Sequence, residues 1–434
     1  MMASWQQRRQ RKQRYQISLI FVILWLRCNA LAPAFIFGIK RQSTSEIFSS
    51  NNNNNDSWLE SLKARQQEID KQQDLIEKKW ISADCVSTIP ISFPAWVRRL
   101  AVDEYPLVAA GSHTGNIYVA NMETGTSIAQ SFGQENEIPL GGQEEMMRIL
   151  FSGCDGGGTL AIALRKTLIC SASRQGSVQL WRVDNTQAEL ISQGSLQALQ
   201  GVLVTCIQLD DDYLWVGTAD GRLQAYALSS SDVPLALQTQ PELEWNLASP
   251  ILSLSLCPEI GYGVVSTAKG SVQLFSMEDD DEMVTEWVPP IDSKPLSTVY
   301  IISTTLVPYK NGGYAIVCGC NNGSIHLQRL NYQNGMFDTN KMAATNSKTS
   351  SIFQSRHAGP VKCLVSPTPG LMLSGGQDGT VRVWYISESE DELHFQYQFA
   401  GYKVWLGTLW TDGLRIVSDG ADNSIIVHDF SKSV

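Results

Sequence analysis

The 434-residue sequence lacks the short motifs that grip phosphates, dinucleotides or catalytic metals. It has no Gly-x-x-x-x-Gly-Lys-Ser/Thr loop, no Gly-x-Gly-x-x-Gly fingerprint, no His-Glu-x-x-His and no Gly-x-Ser-x-Gly elbow. Histidine is scarce, and none of His113, His326, His357, His394 and His428 stands with Cys, Asp or Glu at metal-ligand spacing. No cofactor is therefore expected. Charge is sparse too, at 18% of residues, and 33 Lys+Arg against 43 Asp+Glu leave a net charge of −10. That balance argues against a general nucleic-acid binder, which needs clustered cations for its phosphate contacts. The apolar run from Ile17 to Leu26 is too short to span a bilayer. Extension to Phe37 would put Arg27 and Asn29 in mid-span, where an Arg costs about 2.5–3.5 kcal/mol on insertion scales.

What is present is apolar and turn-rich. Hydrophobic residues make up 43% of the chain, enough for a sizeable core, so a wholly disordered chain is excluded. Twelve Trp and 33 Gly spread along the sequence point to many short strands joined by tight turns. Nine Cys are present, and Cys170, Cys206, Cys257, Cys318 and Cys363 lie in apolar strand stretches. They read as small buried residues in a reducing compartment. Cys318-Gly-Cys320 offers a redox pair as one reading, but the structural reading is stronger: residues i and i+2 share one strand face, with one of the two expected to be buried.

The first 41 residues contain no acidic residue. Arg8, Arg9, Arg11, Lys12 and Arg14 precede the Ile17–Leu26 run, the order of a signal peptide. An uncleaved signal anchor is the rival reading. Cys28-Asn29-Ala30-Leu31-Ala32-Pro33 resembles the Ala-Ser-Ala-Phe-Ala-Pro signature at the signal-cleavage site of plastid proteins in algae with secondary plastids. The resemblance implies cleavage after Ala30 and a stromal destination; Leu31 departs from the preferred Phe. Residues 31–56, with Lys40, Arg41, Ser43, Thr44, Ser45, Ser49 and Ser50, suit a transit peptide running into the Asn51–Asn55 linker. Cleavage after Ala30 removes six of the 33 basic residues and no acidic ones, leaving 27 against 43, a net −16 and no membrane span. Endoplasmic reticulum residence or membrane anchoring is the alternative. Asn55-Asp56-Ser57 is a glycosylation sequon that matters only there.

Residues 57–80 hold no Gly or Pro, and Leu59, Leu62, Gln66, Ile69, Gln73, Ile76 and Trp80 recur at spacings of three and four. This predicts an amphipathic helix lying on the next domain. A weak coiled-coil oligomerisation helix is the sharper alternative.

From residue 81 onward one pattern recurs seven times, starting at Gly115, Gly176, Gly221, Gly270, Gly323, Gly379 and Asn423. In each copy the second and fourth residues after the turn are apolar, as in Val178/Leu180 and Val381/Val383. Alternation puts each pair on one face of a strand, and a second apolar strand precedes each turn. Units of this length hold four short strands that cannot bury both faces alone. Stacking them in a closed ring does so. The sixth copy carries His357, Ser374, Asp378 and Trp384, and here the chain resembles the WD-repeat β-propeller family. The resemblance implies an all-β seven-bladed propeller over residues 81–434, preceded by a short helix and a disordered targeting region. It further implies a buried tetrad in which His357 bridges Asp378 and Ser374, and Ser374 accepts the Trp384 ring N–H. Gln175 and Lys269 replace the Asp in copies two and four, Val216 and Val265 replace the Ser in copies three and four, and His428 replaces the Trp in copy seven. The tetrad is not expected in those blades. The fourth strand of the last blade is expected from Cys85–Phe93, so that the two ends clasp.

The family's loop arrangement places the acidic runs Asp210–Asp212, Glu278–Glu282 and Glu388–Glu392 on one face. The opposite face is expected to present Trp96, Arg98, Arg174, Trp245, Lys269, Arg356 and Tyr402 as partner-binding candidates. Gly153–Gly158 and the polar insert Asn331–Ile352 read as loops. Three functions follow: a non-enzymatic scaffold for protein partners in a plastid, an enzyme with its site at the channel mouth, or an RNA-associated propeller. The missing motifs favour the first.

Overall fold

The computed structural model describes residues 55–131, 158–173, 178–184, 189–196, 199, 202–228, 240–277, 283–288, 299–310, 312–330, 332–333, 336–337, 356–387, 392–403, 406–421 and 423–432. The expected signal and transit peptides lie outside these residues, as do Gly153–Asp155, Arg174 and Glu278–Glu282. The chain divides into two units, residues 1–68 with 310–312 and residues 69–309 with 313–434. Of the first, the opening turns of helix α1 (Asn55–Ser82) are described; the second holds its last turns and every strand. No described helix is long and apolar enough to cross a membrane.

Seven antiparallel blades make up the second unit, and the first six are built in sequence order from an inner strand outward. After β1 (Val86–Ser92), the first blade is β2 (Val97–Ala101), β3 (Leu107–Ser112), β4 (Ile117–Asn121) and β5 (Thr126–Ser131). The second is β6 (Thr159–Arg165), β7 (Leu168–Ser173), β8 (Val178–Asp184) and β9 (Glu189–Ser195). The third is β10 (Val204–Leu209), β11 (Tyr213–Thr218), β12 (Arg222–Ala227) and β13 (Leu243–Asn246). The fourth is β14 (Ile251–Cys257), β15 (Tyr262–Thr267), β16 (Val272–Ser276) and β17 (Met283–Trp287). The fifth shows three strands among the described residues, β18 (Ile301–Pro308), β19 (Tyr314–Cys320) and β20 (Ile325–Leu330). A two-residue hairpin, β21 (Tyr332–Gln333) with β22 (Met336–Phe337), follows where the sequence suggested only loop. The sixth is β23 (Val361–Val365), β24 (Leu371–Gly376), β25 (Val381–Ser387) and β26 (Glu392–Phe399).

The seventh blade is made from both ends of the repeat region. Strands β27 (Leu409–Thr411), β28 (Arg415–Ala421) and β29 (Ser424–Asp429) are completed by β1 in the order β1-β29-β28-β27. β1 pairs antiparallel with β29, Val86 opposite Asp429 and Ile91 opposite Ile425. The ladder shifts register between Thr88 and Ile91, around Pro90, which cannot donate a ladder hydrogen bond and is tolerated on this outer strand. The clasp expected from the strand count is thus the observed closure.

The repeat runs deeper than the turn signals. Each inner strand of the first six blades slips register at its start, between Val97 and Arg99, Thr159 and Ala161, Val204 and Cys206, Ile251 and Ser253, Ile301 and Ser303, and Val361 and Cys363. A bulge there bends the strand and adds twist at the channel rim. Blades touch through glycine on the second strand: a Cβ on Gly111, Gly217 or Gly319 would stand within 2.5–2.8 Å of Thr159, Ile251 or Val361 of the next inner strand. Apolar pairs such as Val272/Leu274 and Val381/Val383 fill the space between sheets at 0–1% exposure. Burial of this kind is the main stabilising term, about 25 cal/mol per Å² of apolar surface.

The last turns of α1 lie on the sixth and seventh blades. Trp80, 1% exposed, stacks on Phe430 at 3.9 Å, and its ring N–H donates to the Gly413 carbonyl at 2.8 Å. Ile76 joins the same cluster, while Gln73 is exposed. The helix end is therefore a packing element. Ala83 terminates it at φ 56°, a left-handed geometry that favours glycine.

Candidate functional site

His357 sits in the loop entering β23, Ser374 on β24, Asp378 in the β24–β25 turn and Trp384 on β25. The fold draws them together. His357 Nδ1 lies 2.9 and 3.0 Å from the two Asp378 oxygens, and Nε2 lies 2.8 Å from Ser374 Oγ. Trp384 Nε1–H donates to Ser374 Oγ at 2.8 Å. Asp378 also accepts from Ala358 N at 2.9 Å and from the Thr380 hydroxyl at 2.8 Å. A Cβ on Gly376 would stand 2.2 Å from His357 Nδ1, so only glycine leaves room for the ring.

Burial pulls the His357 pKa below its ordinary value, against the opposing effect of Asp378. Burial also raises the Asp378 carboxyl, but the hydrogen bonds from His357, Ala358 and Thr380 outweigh it and hold the group well below the usual carboxylate range. His357 is thus neutral, with its proton on Nδ1 facing the carboxylate and Nε2 accepting the Ser374 hydroxyl proton. This is the connectivity of a serine–histidine–aspartate nucleophile system. Ser374 and His357 are both 0% exposed, however, and the Ser374 oxygen already accepts from Trp384. No substrate carbonyl has room to reach it. The constellation satisfies buried polar groups and holds the loop before β23 to the turn after β24.

The seventh blade solves the same problem with other residues. Strand pairing aligns Leu409/Ser418 with Leu364/Ser374, which puts Tyr402 at the His357 position and His428 at the Trp384 position. Tyr402 Oη lies 2.7 Å from His428 Nε2 and 3.4 Å from Ser418 Oγ. His428 Nδ1 bonds Ser87 Oγ of the closing strand at 2.7 Å, and the ring stacks on Phe399 at 4.2 Å. Burial pushes His428 down to about 4. The second blade keeps half the set, with Trp181 Nε1 donating to Ser171 Oγ at 3.2 Å. The signal for Tyr402 was present in the sequence, which places it seven residues before Leu409 as His357 stands seven before the equivalent Leu364.

This corrects the partner-binding candidates. Tyr402 is spent on His428. Trp245, 9% exposed, stacks on Trp215 at 6.2 Å and packs against Phe275 inside the third–fourth blade core. Arg98, 8% exposed, lies over the half-buried Trp96 ring at 5.1 Å. The family's loop arrangement places these aromatics on a loop face, but it does not say which side chains a neighbouring blade covers. Arg356 and Lys269 remain exposed, the first in the loop before β23, the second in the β15–β16 turn. Arg174 lies outside the described residues.

The acidic face is also changed where it is described. Asp210 is 9% exposed and caps its own turn, accepting Trp215 Nε1 at 2.7 Å and the Asp212 and Tyr213 amides at 2.7 and 2.6 Å. Asp211 is paired with Arg165 at 3.1 Å and Lys166 at 2.9 Å, which pull it down to about 2. Arg165 reaches on to Asp103 at 2.6 Å, so first-to-second strand loops of three consecutive blades are linked. Glu392 is half-buried, and Glu388–Asp391 lie outside the described residues. Cys318 and Cys320 are both 0% exposed, not one of the two, because their shared face of β19 packs into one cluster with Val264 and Leu274 of the fourth blade. Burial raises both thiols, to about 11 for Cys320, so neither is a reactive thiolate. Among the described residues no three His, Cys, Asp or Glu side chains converge to hold a metal.

Residues 348–385 match the WD domain, G-beta repeat family, a stretch that ends one residue past Trp384. Over 209 residues the chain is 26% identical to the cilia- and flagella-associated protein 43 of Xenopus laevis, covering 45% of this chain and 12% of that protein. The chain thus spans a small part of the length of the relative it matches. The repeat match and the seven-bladed architecture together support a WD-repeat β-propeller.

Proposed function

We propose that this chain is a non-enzymatic scaffold, a closed ring that presents protein partners with one face of its loops. The spent triad carries the reading. Among the described residues, the His-Ser-Asp constellation with catalytic connectivity is sealed in the sixth blade and closed by Trp384. The WD-repeat likeness supports an interaction role, by fold-level analogy. The Xenopus laevis relative is named for cilia and flagella, but the shared stretch is 12% of that protein, so this compartment is not carried over.

The face formed by inner-strand entry loops and second-to-third strand turns is the docking face. It keeps Arg356 and Lys269 exposed, whereas Asp210 and Asp211 on the opposite face are engaged in a turn cap and ion pairs. Arginine offers a partner paired hydrogen bonds without a pKa that burial can undo. Arg356→Ala with Lys269→Ala should speed partner dissociation, measured on the full chain after its melting curve is shown unchanged. Asp279→Asn, Asp280→Asn and Asp281→Asn should alter only association rate and salt dependence. Partner loss in the acidic variant alone would sink the assignment of faces.

The plastid stroma is the proposed compartment, on the strength of Cys28–Pro33 and the serine-rich stretch behind it. Residues 1–50 fused to a fluorescent protein should enter the plastid. Leu31→Phe should preserve entry and Leu31→Asp should block it. Retention of the wild-type fusion in the endoplasmic reticulum favours the anchored reading.

A further inference from the structure

The fifth-blade turn Asn322-Gly323-Ser324 is, like Asn55-Asp56-Ser57, an asparagine-x-serine sequence. Such triplets are common, and a finished fold cannot tolerate a glycan on one whose asparagine is buried or whose amide nitrogen is committed. Here neither holds. Asn322 is exposed at the tip of the β19–β20 hairpin. Its Oδ1 accepts the Ser324 amide at 3.0 Å and the Ser324 hydroxyl at 2.7 Å, while its Nδ2 makes no hydrogen bond to another described residue. The oxygen is used by the fold and the nitrogen is left to solvent. In the sixth blade the residue at the same place, Asp378, is instead consumed by His357, Ala358 and Thr380.

The backbone under Asn322 is fixed. Gly323 has φ 86°, its N–H donates to Cys320 O at 3.1 Å, and its carbonyl accepts the His357 amide at 3.1 Å. A substituent on Asn322 Nδ2 therefore projects from a rigid tip and breaks no hydrogen bond that the fold uses. This matters because oligosaccharide is transferred to the chain before it folds, and the finished fold must tolerate the adduct.

We propose that Asn322 is a glycan acceptor whenever this chain enters the secretory lumen. In the transfer, the Asn322 amide nitrogen attacks the anomeric carbon of a polyprenyl-pyrophosphate-linked oligosaccharide. The N–C bond forms, the bond from that carbon to the pyrophosphate oxygen breaks, and the electron pair leaves with the pyrophosphate. The amide proton passes to a base of the transferase, and nothing is oxidised or reduced. The glycan would stand beside Arg356, whose neighbour His357 is hydrogen-bonded to this turn. It would thus obstruct one corner of the docking face. The acceptor role itself does not depend on that face being used.

The test is translation of the full chain behind a cleavable secretion signal in the presence of microsomes, scoring only protease-protected chains. Protection establishes entry, so plastid or anchored fates do not enter the result. With Asn55→Gln in place, one endoglycosidase-sensitive mass step is expected. It is lost in Asn322→Gln and in Ser324→Ala, and kept in Ser324→Thr, which preserves the hydroxyl. Ser324→Ala and Ser324→Thr keep the asparagine, so a folding defect peculiar to Asn322→Gln cannot produce the pattern. Protected Asn55→Gln chains without the step, or a step that survives Ser324→Ala, would overturn the proposal.

Discussion

The sixth and seventh blades share a backbone pattern and differ in nearly every polar residue that holds it. In the sixth, one continuous stretch supplies His357, Ser374, Asp378 and Trp384. In the seventh, Tyr402, Ser418 and His428 occupy the equivalent places, and Ser87 adds a bond from the other end of the repeat region. The second-strand glycine differs as well. Gly375 gives way to Asp419, 1% exposed, which accepts the Gly407 and Thr408 amides at 2.9 and 3.0 Å near Arg99 of the first blade. What persists is the requirement, since a buried hydroxyl and a buried ring nitrogen need partners at these places whichever residues provide them.

The largest test of the comparison is to remove the seventh blade's outer half. Deleting Ile425–Val434 takes away Ile425, Val427 and Phe430, all at or below 3% exposure, and leaves β1 unpaired. Each large buried side chain is worth about 2–5 kcal/mol, so the sum reaches the whole stability of an ordinary domain. Cooperative thermal unfolding should disappear. A truncated chain that melts like the intact one would refute the clasp.

Next come the polar sets. Asp378→Ala leaves His357 and Thr380 without their acceptor and should cost about 1–3 kcal/mol in denaturant unfolding. Tyr402→Phe removes one shared hydroxyl and should cost about 0.5–1.5 kcal/mol. Equal costs would mean that the two blades do not differ in the way their geometry indicates.

A finer contrast is pH. Burial raises Asp419 from 3.8 to about 7, so the folded state holds a proton that the unfolded state releases, and this group's contribution falls as pH rises from about 4 to 7. Burial lowers His428 from 6.5 to about 4, so the unfolded state takes the proton first, and its contribution falls as pH drops from about 6.5 to 4. His357 is also lowered and adds to the acid loss. Asp419 therefore offsets the histidines. Asp419→Asn, which keeps the acceptor oxygen for Gly407 and Thr408, should make the melting temperature drop more steeply between pH 7 and pH 5. The groups facing Asp419, namely Arg99, Cys363 and Tyr402, are unchanged in that comparison. An identical pH profile would show that Asp419 does not titrate in this range.

The smallest effect concerns the helix packed on both blades. Ala83→Gly relieves a left-handed residue at the end of α1 and should stabilise by about 0.5–1 kcal/mol. A loss in its place would mean that the Ala83 methyl group contributes more than the strain it causes.

The sequence alone determined the blade count and the closure. Turn glycines such as Gly221 and Gly379 and alternating pairs such as Val381/Val383 are local signals, because a strand's period of two and a hairpin's positive φ are set by a few adjacent residues. The sixth-blade tetrad was legible for a different reason, being carried by a family resemblance confined to one copy. Tertiary structure decided what lies between blades. Alternation says that Trp245 faces one side of its sheet beside Trp215, but only the adjacent blade, with Phe275, turns that side into core. Asp211 looked like part of a free acidic run until Arg165 of the preceding blade was brought to 3.1 Å. The His428 ring, held on one side by Tyr402 26 residues away, is held on the other by Ser87 of a strand from the start of the repeats. Contacts across a blade seam depend on residues tens to hundreds of positions away, and no local pattern in the chain encodes that distance.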